Sequence, residues 1–125
     1  MTPAEMVREF HEAIGAPILS TPTIPNTDHC LLRCTLLTEE SEEACAELLS
    51  AAEGDGNLAR IAKELADVLI VTYGTALEFG IDLDAVMAEV HKSNMAKMGG
   101  PRRSDGKQLK PEGWQPPNVA GVLGL

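Results

Sequence analysis

The chain has 125 residues, enough for one domain with a core of its own. A formal net charge of −9 argues against a nucleic-acid binder, which needs a basic footprint, and against an acidic membrane surface. Hydrophobic residues make up 44% but aromatics only 3%, so the expected core is built of Leu, Ile, Val, Ala and Met, a palette suited to helix-on-helix packing.

Thr2-Pro3-Ala4-Glu5 predicts a helix start, with a cap, a proline at the first helical position and a glutamate completing a capping box. Met6, Val7, Phe10 and Ile14 lie on one stripe of that helix, and Gly15 and Pro17 end it. Residues 16–27 contain Pro17, Pro22 and Pro25 and read as a loop, either a spacer or one wall of a pocket. Thr27 or Asp28 is the expected cap of a second helix running to Ala52. After the turn Glu53-Gly54-Asp55-Gly56-Asn57, a third helix carries Leu58, Ile61, Leu65, Val68, Leu69 and Thr72 on one face and stops at Gly80. Asp82 caps a fourth helix, which Gly99-Gly100-Pro101 stops. The expected fold is all-α and four-helix-bundle-like, with a helical body over residues 1–100 and an irregular tail over 101–125 that packs on the body or on a partner subunit.

No apolar run reaches the ~18 residues of a membrane span, and the early Glu5, Arg8 and Glu9 do not read as a signal peptide. A cytoplasmic location is expected. Cys30, Cys34 and Cys45 are odd in number and lack CxxC spacing, so they read as reduced core residues. His29 with Cys30 and Cys34 would make a zinc site only with a fourth ligand, and none is suggested.

The second helix poses the chemical question. Glu39, Glu40, Glu42 and Glu43 crowd into five positions, with no Lys or Arg between Arg33 and Arg60 to relieve them. At ~100° per residue, Glu39, Glu40 and Glu43 share one sector, and Glu64 and Asp67 share a face of the third helix. If the two helices form a tight hairpin, facing residues have numbers summing to about 107. Glu43 then meets Glu64, Glu40 meets Asp67, Leu36 meets Val71, and Glu47 meets Arg60 in an ordinary ion pair. Facing carboxylates repel unless protonated or neutralised, and an all-oxygen ligand set selects a hard divalent ion, Mg²⁺ or Mn²⁺. Iron is disfavoured because the triplets end in Glu43 and Asp67 rather than histidine. The bland counterpart is a solvated acidic hairpin, and Glu42 reads as solvated in either case.

Glu39-Glu40-x-x-Glu43 followed by Glu64-x-x-Asp67 resembles the signature of the all-α nucleoside triphosphate pyrophosphohydrolases, the superfamily of MazG, dimeric dUTPases and phosphoribosyl-ATP pyrophosphohydrolase. Phe10-His11, Glu64-Leu65-Ala66-Asp67-Val68-Leu69, His91-Lys92-Ser93-Asn94-Met95-Ala96-Lys97 and the tail Asp105-Gly106-Lys107-x-x-Lys110-Pro111-x-Gly113-Trp114 extend the resemblance over residues 5–118. It implies Mg²⁺-dependent hydrolysis of a nucleoside triphosphate between the α and β phosphates, by a homodimer or a dimer of dimers, as a house-cleaning activity. Within it, Glu40, Glu43, Glu64 and Asp67 would be metal ligands, and Glu39 would orient or deprotonate the attacking water, with Glu39 and Glu40 able to exchange these roles. Lys97 would hold a phosphate and Asn94 a phosphate or the sugar. Arg102, Arg103, Lys107 and Lys110 would grip the triphosphate or meet the acidic body of a partner subunit. His11 and Phe10 would line a base pocket or pack in the core, and Trp114 reads as an anchor for the tail more than as a base-stacking surface. Two other functions fit the same residues: phosphoribosyl-ATP hydrolysis in histidine synthesis, and a non-catalytic helical dimer that binds a metal structurally.

Overall fold

A computed structural model describes residues 1–125 and contains helices but no named strand. The chain forms two compact units, Met1–Ile81 and Asp82–Leu125.

The first unit holds α1 (Pro3–Ile14), α2 (Thr27–Ala52) and α3 (Leu58–Glu78). The expected capping box opens α1: the Thr2 hydroxyl accepts from the Glu5 amide, and the Glu5 carboxylate accepts from the Thr2 amide at 2.8 Å. Gly15 closes it in the left-handed conformation. The cap of α2 is Asn26, not Thr27 or Asp28, because the Asn26 side chain accepts from the His29 amide at 2.9 Å. Asn57 caps α3 as expected, accepting from the Arg60 amide. The β-branched run Val68–Thr72 stays helical.

Helices α2 and α3 pack on each other as an antiparallel hairpin, and α1 packs on α3. The turn brings Gly56 against Ala51, where an added Cβ would lie 2.9 Å from the Ala51 Cβ. The proline-rich loop docks on the end of α3, with Leu19 and Thr23 amides donating to the Leu77 and Phe79 carbonyls at 2.9 Å. Gly80, at φ 68°, turns the chain where any Cβ would run into the Thr21 carbonyl.

The aliphatic core expected from composition is thin. Val7, Ala44 and Ala76 are the buried hydrophobic residues, and no large side chain is fully enclosed. The centre of the first unit is instead polar: His11, Arg33 and Glu78 are buried. The cysteines also depart from expectation. Cys34 and Cys45 are exposed and Cys30 is half-buried, because α2 is covered along only part of its circumference.

The second unit holds α4 (Leu83–Met95) and a short fifth helix, α5 (Val119–Leu123), which the sequence pattern did not suggest. Asp82 caps α4, accepting from the Ala85 amide. The tail folds back on α4 by named bonds. Trp114 Nε1 donates to the Ser93 carbonyl at 2.9 Å, and the Asn118 amide donates to Glu89 at 3.0 Å. The Gln108 amide donates to the carbonyls of Lys97 and Gly100 at 3.1 and 2.8 Å. The segment is irregular, as its Pro and Gly content predicts, but it is tied down.

Candidate functional site

The hairpin register brings acids of α2 and α3 together. Glu40, Glu43 and Glu64 each place a carboxylate oxygen within 4.8 Å of the others. Glu40 and Glu64 are half-buried, and each has one oxygen shielded from solvent with no hydrogen-bond partner. A buried carboxylate oxygen without a donor is costly, and a cation seated among the three would relieve that cost. The Glu40 carboxyl is pushed above the usual carboxylate range: burial is the largest cause, then the charges of Glu43 and Asp67, a hydrogen bond with Glu43, and the charge of Glu64. Three converging carboxylates fit a hard divalent cation.

Asp67 stands at the edge of this cluster. Lys63, one turn earlier on α3, reaches it at 2.7 Å and approaches Glu64 at 3.5 Å. Asp67, through its hydrogen bond and then its charge, holds the Lys63 ammonium firmly protonated, with Glu64 adding to the effect. Lys63 escaped the sequence reading although its i, i+4 spacing to Asp67 was visible there. Glu39 lies on the same stretch of α2, exposed and outside the three converging groups. The expected Glu47–Arg60 pair is not formed: Arg60 is exposed in the first turn of α3, and Glu47 is half-buried.

A second cluster in the same unit was not foreseen. Glu78, 3% exposed, receives Arg33 Nη1 at 2.6 Å and His11 Nε2 at 3.1 Å on Oε2. His29 Nε2 lies 2.7 Å from Oε1, a contact not directed as a hydrogen bond. Arg33 also donates to the Thr75 hydroxyl and the Val71 carbonyl, both at 3.0 Å. His11 Nδ1 faces the Val7 carbonyl at 3.1 Å. The geometry therefore spends His11 on the interior rather than on a base pocket, because both ring nitrogens already have protein partners. Phe10 beside it is half exposed. Gly74 makes this cluster possible, since a Cβ there would lie 2.9 Å from both Arg33 Nη2 and His11 Cε1. A glycine in mid-helix was the sequence signal for it.

In the second unit, Asn94 and Lys97 are brought together, with Lys97 Nζ donating to Asn94 Oδ1 at 3.0 Å. Lys97 and Lys110 both lie over the Trp114 ring. Arg103 is engaged locally: it makes a two-pronged pair with Asp105 at 2.8 and 2.5 Å, which holds the Asp105 carboxyl below the usual carboxylate range. That pair fastens the turn at Gly106 and leaves Arg103 a weaker candidate for gripping phosphate. Arg102 and Lys107 are exposed on the same turn.

No curated protein matches the chain. A family model described as phosphoribosyl-ATP pyrophosphohydrolase matches residues 7–94, which include all of the clustered acids and end before Lys97 and the tail. An all-helical fold and a match over most of the length agree, and the chain belongs to the phosphoribosyl-ATP pyrophosphohydrolase family of the MazG-like all-α pyrophosphohydrolases.

Proposed function

We propose that the protein hydrolyses (d)NTPs to (d)NMPs and pyrophosphate with Mg²⁺, or Mn²⁺ in its place, as a house-cleaning enzyme of the cytoplasm. The observation that carries this is the convergence of Glu40, Glu43 and Glu64 with two shielded, unpartnered oxygens. Those three, with Asp67 once released from Lys63, would hold the metal. When bound, the metal neutralises phosphate charge and acidifies water. Glu39 or Glu40 accepts the proton of the attacking water as the phosphoanhydride bond breaks. Glu39 suits that task because it stands beside the cluster without belonging to it. Asn94, Lys97 and Lys110 take the phosphates, with Arg102 and Lys107 available nearby in the tail.

The matched family's own description favours a second substrate, phosphoribosyl-ATP. The (d)NTP reading is preferred for the Asn94-x-x-Lys97 element and the long tail, which continue past the matched residues. The working form is a homodimer or a dimer of dimers.

The test is pyrophosphate release from a panel of canonical and modified (d)NTPs and from phosphoribosyl-ATP, with Mg²⁺ and with EDTA. Mg²⁺-dependent release from a (d)NTP is expected. Release from phosphoribosyl-ATP alone replaces the first substrate with the second. Release from none of them, by folded protein, leaves a structural metal site.

A further inference from the structure

The second unit contains an arrangement that the acidic site does not explain. Trp114 is the one tryptophan of the chain. Its ring is fixed by the Nε1 bond to the Ser93 carbonyl. Two ammonium groups converge on it, Lys97 Nζ at 5.3 Å and Lys110 Nζ at 4.8 Å from the ring centre. They come from different places. Lys97 follows the last turn of α4, where it also donates to Asn94, and Lys110 is delivered by the tail. The Gln108 amide, bonded to the carbonyls of Lys97 and Gly100, ties those two segments together.

Acids outnumber bases 19 to 10 in this chain, yet the ion pair of this unit is Arg103 with Asp105. Lys97 and Lys110 rest on an aromatic face instead of a carboxylate. Each such contact is weak at an exposed site, so stability alone gives little reason to gather two ammonium groups at one ring. It is enough to hold each ammonium group at the ring until a stronger anionic partner arrives. A chain of phosphates presents several oxygens in a row and accepts from two lysines at once, with charge-assisted bonds that outcompete a ring face.

We propose that Trp114 is a positioning residue for an oligophosphate clamp. The indole keeps the Lys97 and Lys110 ammonium groups gathered at one ring, and binding moves them from the ring to phosphate oxygens. Only the identification of that oligophosphate with the substrate's own phosphates rests on the pyrophosphohydrolase proposal. The clamp itself is testable without turnover.

Because the tryptophan is single, its emission reports on the clamp alone. Inorganic pyrophosphate is titrated into the full-length protein in EDTA, at ionic strength held constant with NaCl. A saturable change in Trp114 emission is expected, and Lys97→Met with Lys110→Met should abolish it. No change, an equal change with sodium sulfate, or an undiminished change in the double variant overturns the proposal. Calorimetry then separates positioning from folding. Trp114→Leu should bind pyrophosphate about tenfold more weakly, while Trp114→Phe, which keeps a ring face, should retain most of the affinity. Equal affinities in both folded variants contradict the role, and if either variant fails to fold, the lysine titrations decide. Hydrolysis of nucleotides without an emission response sinks the clamp and spares the enzyme, and the reverse result does the opposite.

Discussion

Glu40 is where the residue-scale physics is most exposed. Its pKa is higher in the fold than in the unfolded chain, because burial and its acidic neighbours disfavour the charged form. The fold therefore binds a proton more tightly than the unfolded chain does. In metal-free protein that contribution is complete below the ordinary carboxylate range and is lost as pH rises through the raised Glu40 value. Thermal melts in EDTA should show stability falling over that window, and Mg²⁺ should reverse the fall at neutral pH. Glu40→Gln should raise the metal-free melting temperature at pH 7 and erase the Mg²⁺ response. A variant that melts lower, or still responds to Mg²⁺, would count against convergence of the acids on a metal. Lys63 acts in the opposite sense. It competes with the metal for Asp67 from an exposed position, so Lys63→Gln should tighten Mg²⁺ binding by about two- to fivefold in calorimetry. The acids and their register were legible from helical spacing and the hairpin turn. The competing lysine was equally visible in its i, i+4 spacing to Asp67 but escaped the sequence reading.

At the scale of the helices, α1, α2 and α3 meet at a buried charge, Glu78. Glu78→Gln would strand the Arg33 guanidinium, which is always charged, in a site where it is 10% exposed. Breaking one side of a buried pair typically costs about 3–5 kcal/mol, so denaturant unfolding should show a loss of that size. Gly74→Ala separates sterics from propensity. Alanine favours a helix interior by about 1 kcal/mol over glycine, yet the new Cβ would press on Arg33 and His11. Net destabilisation in the same assay would place the cluster's geometry above helix propensity. Beyond the mid-helix Gly74, the chain held no signal for this cluster. His11 and Glu78 are 67 residues apart, and no local period links them. The elements fared better: the capping box, the Asn57 and Asp82 caps and the hairpin follow from short-range chemistry. The second cap moved by one residue to Asn26 because its side chain, not its neighbour's, reaches the helix amide.

At the scale of the whole molecule, the outer face of the first unit carries an unusual apolar load. A groove of about 580 Å³ between α1 and α3 is lined by Met6, Val7, Phe10, Leu69, Ile70 and Tyr73, among others. Met6, Phe10, Leu69 and Ile70 are each about half exposed, at 54%, 55%, 53% and 46%. With so little apolar surface enclosed, a second copy of the chain is the natural cover and would supply the core that one copy lacks. Sedimentation should find a dimer or a larger even assembly. Phe10→Glu should shift it toward monomer and lower the melting temperature. Because each copy carries −9, association should strengthen with added salt.

Glu78 also governs how the first unit comes apart. One carboxylate on α3 meets His11 of α1 and His29 and Arg33 of α2. Peeling off α3 strands Arg33 and both histidines, and peeling off either other helix strips Glu78 of a partner, so partial opening gains little over complete opening. Three helices that share so thin an apolar core would otherwise fray one at a time. Amide hydrogen exchange should instead return nearly one opening free energy across α1, α2 and α3, the signature of a single cooperative folding unit locked by one carboxylate.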